Sequence, residues 1–531
     1  MEIIKTDVLV IGSGGAGIRA ALAAREERAD VLLVSKTPIG KSTCTSLSAG
    51  AFTLAVKGVS KETHLKRTLE AGKGINSHGL VEILVEESPE RVRELEGFGV
   101  AGEWQKGRFT CLGKPTAWGA PMTRVLAERA RERGVSFLPW VMVFEIVLSE
   151  GQVAGALGFD FRQGKPIGFQ SKAILLANGG GGALYKRTDN PVRTTGDGYA
   201  LAYQAGCTLR DMEFVQFFPA GLAESGKPAH LIAASLPDVG KVINSAGEDI
   251  LEKYAITERP AAVRARDTFS LAIFLEEWEG RNVFLDLRSL SDESWPKDPV
   301  ARAQRDMLMK SLSGSQRPLC ISPMCHHFMG GVTTDGQGKT EIPGLFAAGE
   351  VVGGVHGANR LGGNALDEIL VFGLRAGRAA ARWSTERAWV QNTGSLIKQR
   401  LEFFPGKEGG LANELSPKSL RKAIGEIFWK QVGILRDKEG LTGALESLEQ
   451  IKKESLPLVR GKTPKEILEK MEVENALLVG EMIIRSALMR EESRGAHFRR
   501  DFPKTDEEKW KGNIFLRQSA EGMGLEFRPI S

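Results

Sequence analysis

Near the N-terminus, Gly12-Ser13-Gly14-Gly15-Ala16-Gly17 constrains the fold of this chain more than any other stretch. It follows an apolar run, Asp7 to Ile11, of the kind that forms a buried parallel strand, and opens onto an Ala-rich helical stretch from Ile18 to Arg25. Glycines at 12, 14 and 17 permit a tight turn, close approach of backbone N–H groups to a pyrophosphate, and tight packing of helix on strand. A Gly-rich turn can also be purely structural, so its meaning rests on context. A dinucleotide fold usually ends its second strand in an acid that binds ribose. Here the strand Val31 to Val34 runs into Ser35-Lys36, which weighs against NAD.

A chain of 531 residues is too long for one core and suits two or three domains. Its 42% hydrophobic content supports sizeable cores, and no apolar run reaches the roughly 18 residues of a membrane span. The 71 Lys and Arg against 66 Asp and Glu give a net charge of +5 with no basic block, which argues against nucleic acid as a partner. The first strand begins within a few residues of Met1, which leaves no room for a targeting peptide, so a soluble cytoplasmic protein without direct membrane insertion is expected. Cys44, Cys111, Cys207, Cys320 and Cys325 are an odd, scattered set that suggests reduced thiols. Cys320 and Cys325 precede His326-His327 at a spacing that matches no common zinc or iron–sulfur pattern, and no metal is expected.

The run His356 to Phe372, HGANRLGGNALDEILVF, closely resembles the segment lining the flavin and substrate site in flavoprotein subunits of the succinate dehydrogenase and fumarate reductase family. Other segments resemble that family in the same order. Ser35-Lys36 is often found there at the end of the second strand, and Ile174 to Gly182 (ILLANGGGG) resembles the strand and turn that return to the FAD. Thr195-Gly196-Asp197-Gly198 resembles the next flavin-contacting turn, and Gly344 to Glu350 (GLFAAGE) the last. The resemblance covers nearly the whole chain. It implies an α/β fold with a Rossmann-like FAD-binding domain, an inserted α+β capping domain and a C-terminal helical domain. The expected bounds are 1–210 with 330–383 for the first, 211–329 for the second and 384–531 for the third. Proline turns at Pro219, Pro228 and Pro237 mark the insert, and helical periodicity in Leu420 to Leu435 and Ala476 to Leu488 marks the last unit. Glu492 to Pro503 resembles the family's terminal signature, and Arg494, His497 and Arg499 within it read as an interdomain hydrogen-bond cluster.

The resemblance implies FAD held by Gly12, Gly14, Gly15, Ala16, Gly17, Ser35, Lys36, Ser42, Thr43, Ala177, Gly179, Asp197, Glu350, Asn364, Ala365 and Leu366. Glu350 is expected on the ribityl or ribose hydroxyls. In this family one substrate carboxylate is gripped by an Arg and a His that correspond to Arg360 and His326, with His327 where the family has Tyr. Arg suits this work because its planar fork binds a carboxylate through two hydrogen bonds. The family's proton donor, an Arg followed by Asp, corresponds to Arg266-Asp267. An Arg can serve as an acid there because hydride transfer makes the adjacent carbon strongly basic.

Three departures shape the expected function. Phe218 replaces the His that grips the second carboxylate, so a dicarboxylate buried against Phe218 and Ile232 would bear a large desolvation cost. Ile232, Ala233 and Leu236 occupy the positions of the family's Thr, Glu and Arg, which removes the proton relay. Thr43 stands where membrane-bound members attach FAD covalently to His, so noncovalent FAD is expected. Catalysis would rest on Arg266, Arg360 and His326, and substrate binding on Phe218, His326 and Arg360. The expected activity is reduction or formation of a C=C bond beside a single carboxylate or acyl group, with fumarate itself disfavoured. The implied partner is an iron–sulfur or other electron-transfer subunit, through which the chain could sit peripherally at a membrane. The alternatives are an electron-transfer flavoprotein subunit without its own substrate and, third, L-aspartate oxidase.

Overall fold

The computed structural model describes residues 2–113, 119–227, 229–402, 415–459 and 461–530, and Pro228, one of the proline turns above, lies outside them. Its central sheet is seven-stranded. Strand Glu2–Ile11 lies in the middle, with Val31–Ser35 parallel on one side and Lys165–Leu176 parallel on the other. Ser136–Pro139 continues the parallel sheet beyond Val31–Ser35, and Leu345–Ala347 pairs with the end of Lys165–Leu176. The remaining two strands, Gln152–Asp160 and Val141–Ser149, are antiparallel. Val8 to Ile11 and all of Val31–Ser35 are buried, as strands covered on both faces must be, which explains why they read as unbroken apolar runs. The register pairs Ile11 with both Val34 and Leu176. The carboxyl ends of three strands therefore meet at Gly12, Ser35 and Ala177, where ligands bind in open α/β sheets.

Two helices cover one face of this sheet and touch each other closely. Gly15–Glu26 follows the Gly-rich turn, and Asn364–Thr385 follows the HGANRLGG segment. A Cβ built on Gly377 would lie 2.2 Å from the carbonyl oxygen of Ala20, and one on Gly373 would lie 2.9 Å from that of Ala16. Only glycine permits this crossing.

A four-stranded antiparallel sheet holds, in order, Val215–Leu222, Leu319–Phe328, Val283–Asp286 and Lys241–Asn244, with helix Arg266–Trp278 packed on it. Its own apolar core includes Phe218, Ile232, Ala233, Leu236 and Phe269. After residue 384 the chain is mainly helical, ending in the 26-residue helix Pro464–Met489 with a Thr463–Glu466 capping box. The helical pattern gives no hint of the hairpin that follows. Gly512–Ser519 and Gly522–Pro529 pair with each other, and the first strand pairs with Leu209–Arg210.

A buried ion cluster ties the long helix to the nucleotide fold. Glu472 accepts from Lys36 at 2.9 Å and from Arg193 at 3.1 Å, while Lys36 also pairs with Asp197 at 2.5 Å. Breaking one member of such a cluster leaves an uncompensated buried charge, at a cost of roughly 3–5 kcal/mol. Glu472→Gln is therefore expected to lower the unfolding temperature of the protein by several degrees. An unchanged calorimetric transition would show that the cluster does not hold the helix in place.

Candidate active site

Helix Gly15–Glu26 starts with no acidic residue in its first turn, and its N-cap, Gly14, supplies no side-chain acceptor. Its exposed N–H groups and positive dipole end suit an anion. The glycines of the turn differ in what they serve. Gly12 sits at φ 113°, and a Cβ there would lie 2.2 Å from the Ala177 carbonyl oxygen. A Cβ on Gly17 would fall 1.9 Å from the Gly12 carbonyl oxygen, so both are required by the fold itself. Gly14 is different: a Cβ there meets nothing closer than Thr45 Oγ1 at 3.7 Å. The protein leaves room at Gly14 that a pyrophosphate can use. Gly15 donates its N–H to Thr45 Oγ1 at 3.1 Å, and Ala16 is buried beneath the turn.

The other expected cofactor residues gather around the same edge, with different side-chain roles. Ser35 shares a hydrogen bond with Ser13 at 2.8 Å. Ser42 lies in the left-handed region at φ 53°, and Thr43 caps the short helix Cys44–Leu47 by accepting from Ser46 N. Gly179 turns the chain after Ala177 at φ 77°. The side chains of Lys36, Asp197 and Asn364 are engaged by protein partners. Lys36 and Asp197 belong to the Glu472 cluster, and Asn364 bonds His64 at 3.0 Å and Thr68 at 2.9 Å. Only their backbones remain for a cofactor. Ala365 is half-buried and Leu366 buried in the first turn of their helix.

Glu350 accepts from the Phe328 N–H at 3.0 Å, and burial pushes its carboxyl up to about 7. His327 Nδ1 stands 3.6 Å from it. Beside them, His356 Nε2 and Glu368 Oε2 are 3.0 Å apart. His327 Nε2, His356 Nδ1, Glu368 Oε1 and Asn178 Oδ1 are buried without a partner. Each such atom costs about 1–3 kcal/mol unless something satisfies it. Together with the open cradle at Gly14, these atoms fit a bound dinucleotide with polar groups along its length.

Arg266 and Arg360 lie side by side at the junction of the two sheets. Arg266 begins helix Arg266–Trp278 and donates from Nη1 to the Arg360 carbonyl oxygen at 3.3 Å. Arg360 donates from Nη2 to Gln216 Oε1 at 3.0 Å, and its Nε has no partner. Both are buried, yet neither meets a carboxylate within ion-pair distance among the described residues. Burial first, and then the neighbouring Arg266 charge, bring the Arg360 guanidinium down to about 9. Two unneutralised guanidinium groups this close are unfavourable unless an anion joins them.

His326 comes to the same place. Its ring lies 5.8 Å from that of Phe218, and its Nδ1 is 2.7 Å from Asp189 Oδ2. Asp189 was not legible as a site residue from the sequence, and neither was Gln216 or Asn359, which bonds Asp267 at 2.6 Å. The one available signal was the polar run Arg187-Thr188-Asp189-Asn190 directly after the glycine turn. Phe218, Ile232, Ala233 and Leu236 are all buried in the apolar core, so the end of the pocket away from Arg360 is apolar.

A nucleotide cradle that leads to a pair of unneutralised arginines is what an FAD-dependent oxidoreductase needs in order to act on an anionic substrate. Comparison with known proteins gives the family. Residues 7–366 match the FAD binding domain family and residues 421–531 the fumarate reductase flavoprotein C-terminal family. The chain is 36% identical to the flavoprotein-type subunit of fumarate reductase (CoM/CoB) from Methanothermobacter marburgensis, covering 98% of both chains. It is 30% identical to L-aspartate oxidase of Streptomyces coelicolor, over 97% of this chain and 92% of that one. Its structure superposes on the FrdA chain of E. coli quinol fumarate reductase with a TM-score of 0.88, at 27% identity, covering 100% of this chain and 97% of that one. The chain belongs to the fumarate reductase and succinate dehydrogenase flavoprotein family, and FAD is its cofactor. No helix among the described residues is long and apolar enough to cross a membrane.

Thr43 offers no imidazole for attachment, so acid precipitation should release intact FAD from the yellow protein. Fluorescent flavin remaining on the denatured chain would contradict this. Gly14→Val should fold normally, because its Cβ has room, yet lose flavin by closing the approach to the pyrophosphate. Full FAD occupancy in that variant would misplace the nucleotide site.

Proposed function

We propose that this FAD-dependent oxidoreductase reduces, or makes, a C=C bond next to a single carboxylate or similar acyl group. The observation that supports this most is the Arg266–Arg360 pair, buried without a counterion next to His326. Bound FAD supplies the hydride chemistry. Arg360 and His326 hold and polarise the carboxylate, Gln216 fixes the Arg360 fork, and Arg266 is placed to protonate the other alkene carbon. The Methanothermobacter relative is named for fumarate. Here a second carboxylate would face Phe218 and Ile232, and its desolvation would go uncompensated. A 2-enoate with an apolar β-substituent fits better.

We also propose noncovalent FAD attachment, and a redox partner in the form of a separate electron-transfer protein, since relatives are named as subunits. One observation favours a second reading, a flavin carrier without its own substrate. Ile232, Ala233 and Leu236 leave no polar relay behind Arg266. L-aspartate oxidase, the third reading, has a relative at 30% identity in its favour and Phe218 against it.

Stopped-flow reoxidation of the photoreduced protein separates these readings. Crotonate should reoxidise it faster than fumarate does. Arg266→Gln should keep FAD and crotonate binding but stop turnover. Arg360→Gln should mainly weaken binding, by about 2–4 kcal/mol, which is a tens- to several-hundred-fold loss of affinity. Ordinary fumarate turnover would overturn the reading of Phe218. Unchanged reoxidation in both variants would leave only the flavin carrier.

A further inference from the structure

His326 is held by a group that its sequence motif does not contain. Its Nδ1 lies 2.7 Å from Asp189 Oδ2, and Asp189 is itself fixed by Asn190 Nδ2, which donates to Asp189 Oδ1 at 3.0 Å and to the His326 carbonyl oxygen at 3.1 Å. A carboxylate can only accept, so the Nδ1 proton points at Asp189. In the neutral imidazole the other nitrogen, Nε2, then carries a lone pair. Such a ring cannot donate a hydrogen bond to a substrate carboxylate from Nε2. It can do so only after gaining a proton.

We propose that Asp189 is a positioning residue that makes carboxylate binding at His326 proton-coupled: the anion enters together with one proton, and the resulting imidazolium bridges Asp189 and the ligand. This rests on the reading that His326 grips a carboxylate. The charged and titratable groups acting on His326 are Asp189, Arg360 and Arg266, and Asp189 in turn acts on His230, Cys44, Cys325 and Glu350. Burial lowers the His326 imidazole below its ordinary value, with the two arginines adding to the effect and Asp189 opposing it. In the ligand-free protein His326 is therefore neutral at pH 7.5. An anion beside Arg360 offsets the arginine charge and raises the imidazole again. Between the free and bound values affinity falls as pH rises, by about tenfold per pH unit if a single proton is taken up. Binding imports a proton into a pocket whose expected relay positions are apolar.

The test is calorimetric titration of the oxidised, FAD-loaded protein with crotonate at pH 7.5, in buffers of different ionisation enthalpy. The wild type should take up about one proton per ligand bound. Asp189→Asn should still bind crotonate but take up close to none, because its amide can donate to Nδ1 and leave Nε2–H facing the ligand. His326→Gln should also abolish uptake, which decides the matter if Asp189→Asn fails to fold. Binding with no proton uptake in the wild type, or with undiminished uptake in these variants, would overturn the proposal while leaving the carboxylate site standing. Crotonate binding that Arg360→Gln does not weaken, or no binding at all, would remove the proposed function and this inference with it.

Discussion

The site depends on the crossing of helices Gly15–Glu26 and Asn364–Thr385. One carries the cradle for the cofactor phosphates, and the other follows directly on the segment holding Arg360. Their separation is set by Gly373 and Gly377, where a methyl group would strike the backbone of Ala16 and Ala20. An interior glycine costs a helix about 0.5–1 kcal/mol relative to alanine. Two in one helix are tolerable because each permits dense contact along the crossing. The same contact brings residues more than 340 positions apart in sequence to the carboxyl edge of one sheet. Glu350 and Arg360 inherit their positions from it.

Around that edge the electrostatics divide into two kinds. Near the long C-terminal helix, Lys36, Asp197, Arg193, Arg421 and Glu472 neutralise one another and leave little for a ligand. At the other end, Arg266 and Arg360 have no such compensation. Burying a charge is costly unless it is paired, so the contrast matters. A structural cluster satisfies itself, whereas a binding site leaves its charge for something that arrives later. This difference separates Lys36 from Arg360, although both stand in motifs associated with the cofactor and substrate.

The sequence made the central strands, the Gly-rich turn and the order of family segments legible because each is local and has a fixed periodicity or spacing. Phe218 and Ile232 could be judged as apolar replacements, and the structure places both in one apolar core. What stayed hidden was pairwise. Asp189 meets His326 across 137 positions, and Asp197 meets Asn475 across 278, and nothing in a single sequence marks such partners. The roles of Lys36 and Asn364 were misleading for the same reason, since a motif fixes the position of a backbone but not the direction of a side chain. The terminal hairpin escaped because its first strand pairs with Leu209–Arg210, far away in sequence.

The arrangement of the two arginines also bears on how the molecule holds together. Arg266 belongs to the helix packed on the four-stranded sheet, and Arg360 to the segment leading into the helix that packs on the nucleotide fold. Without a ligand their charges repel across this junction, opposed only by single hydrogen bonds such as Asn359 to Asp267 and Arg266 to the Arg360 carbonyl. A carboxylate between them turns the repulsion into two attractions in a setting with little water to screen them. The substrate's charged end thus acts as the missing counterion of the junction. Its other end meets Phe218 and its neighbours, which already belong to the core of the four-stranded unit. An apolar group there extends that core, whereas a second charge would have to be buried in it unpaired. The same residues that disfavour a dicarboxylate therefore favour closure over a monocarboxylate.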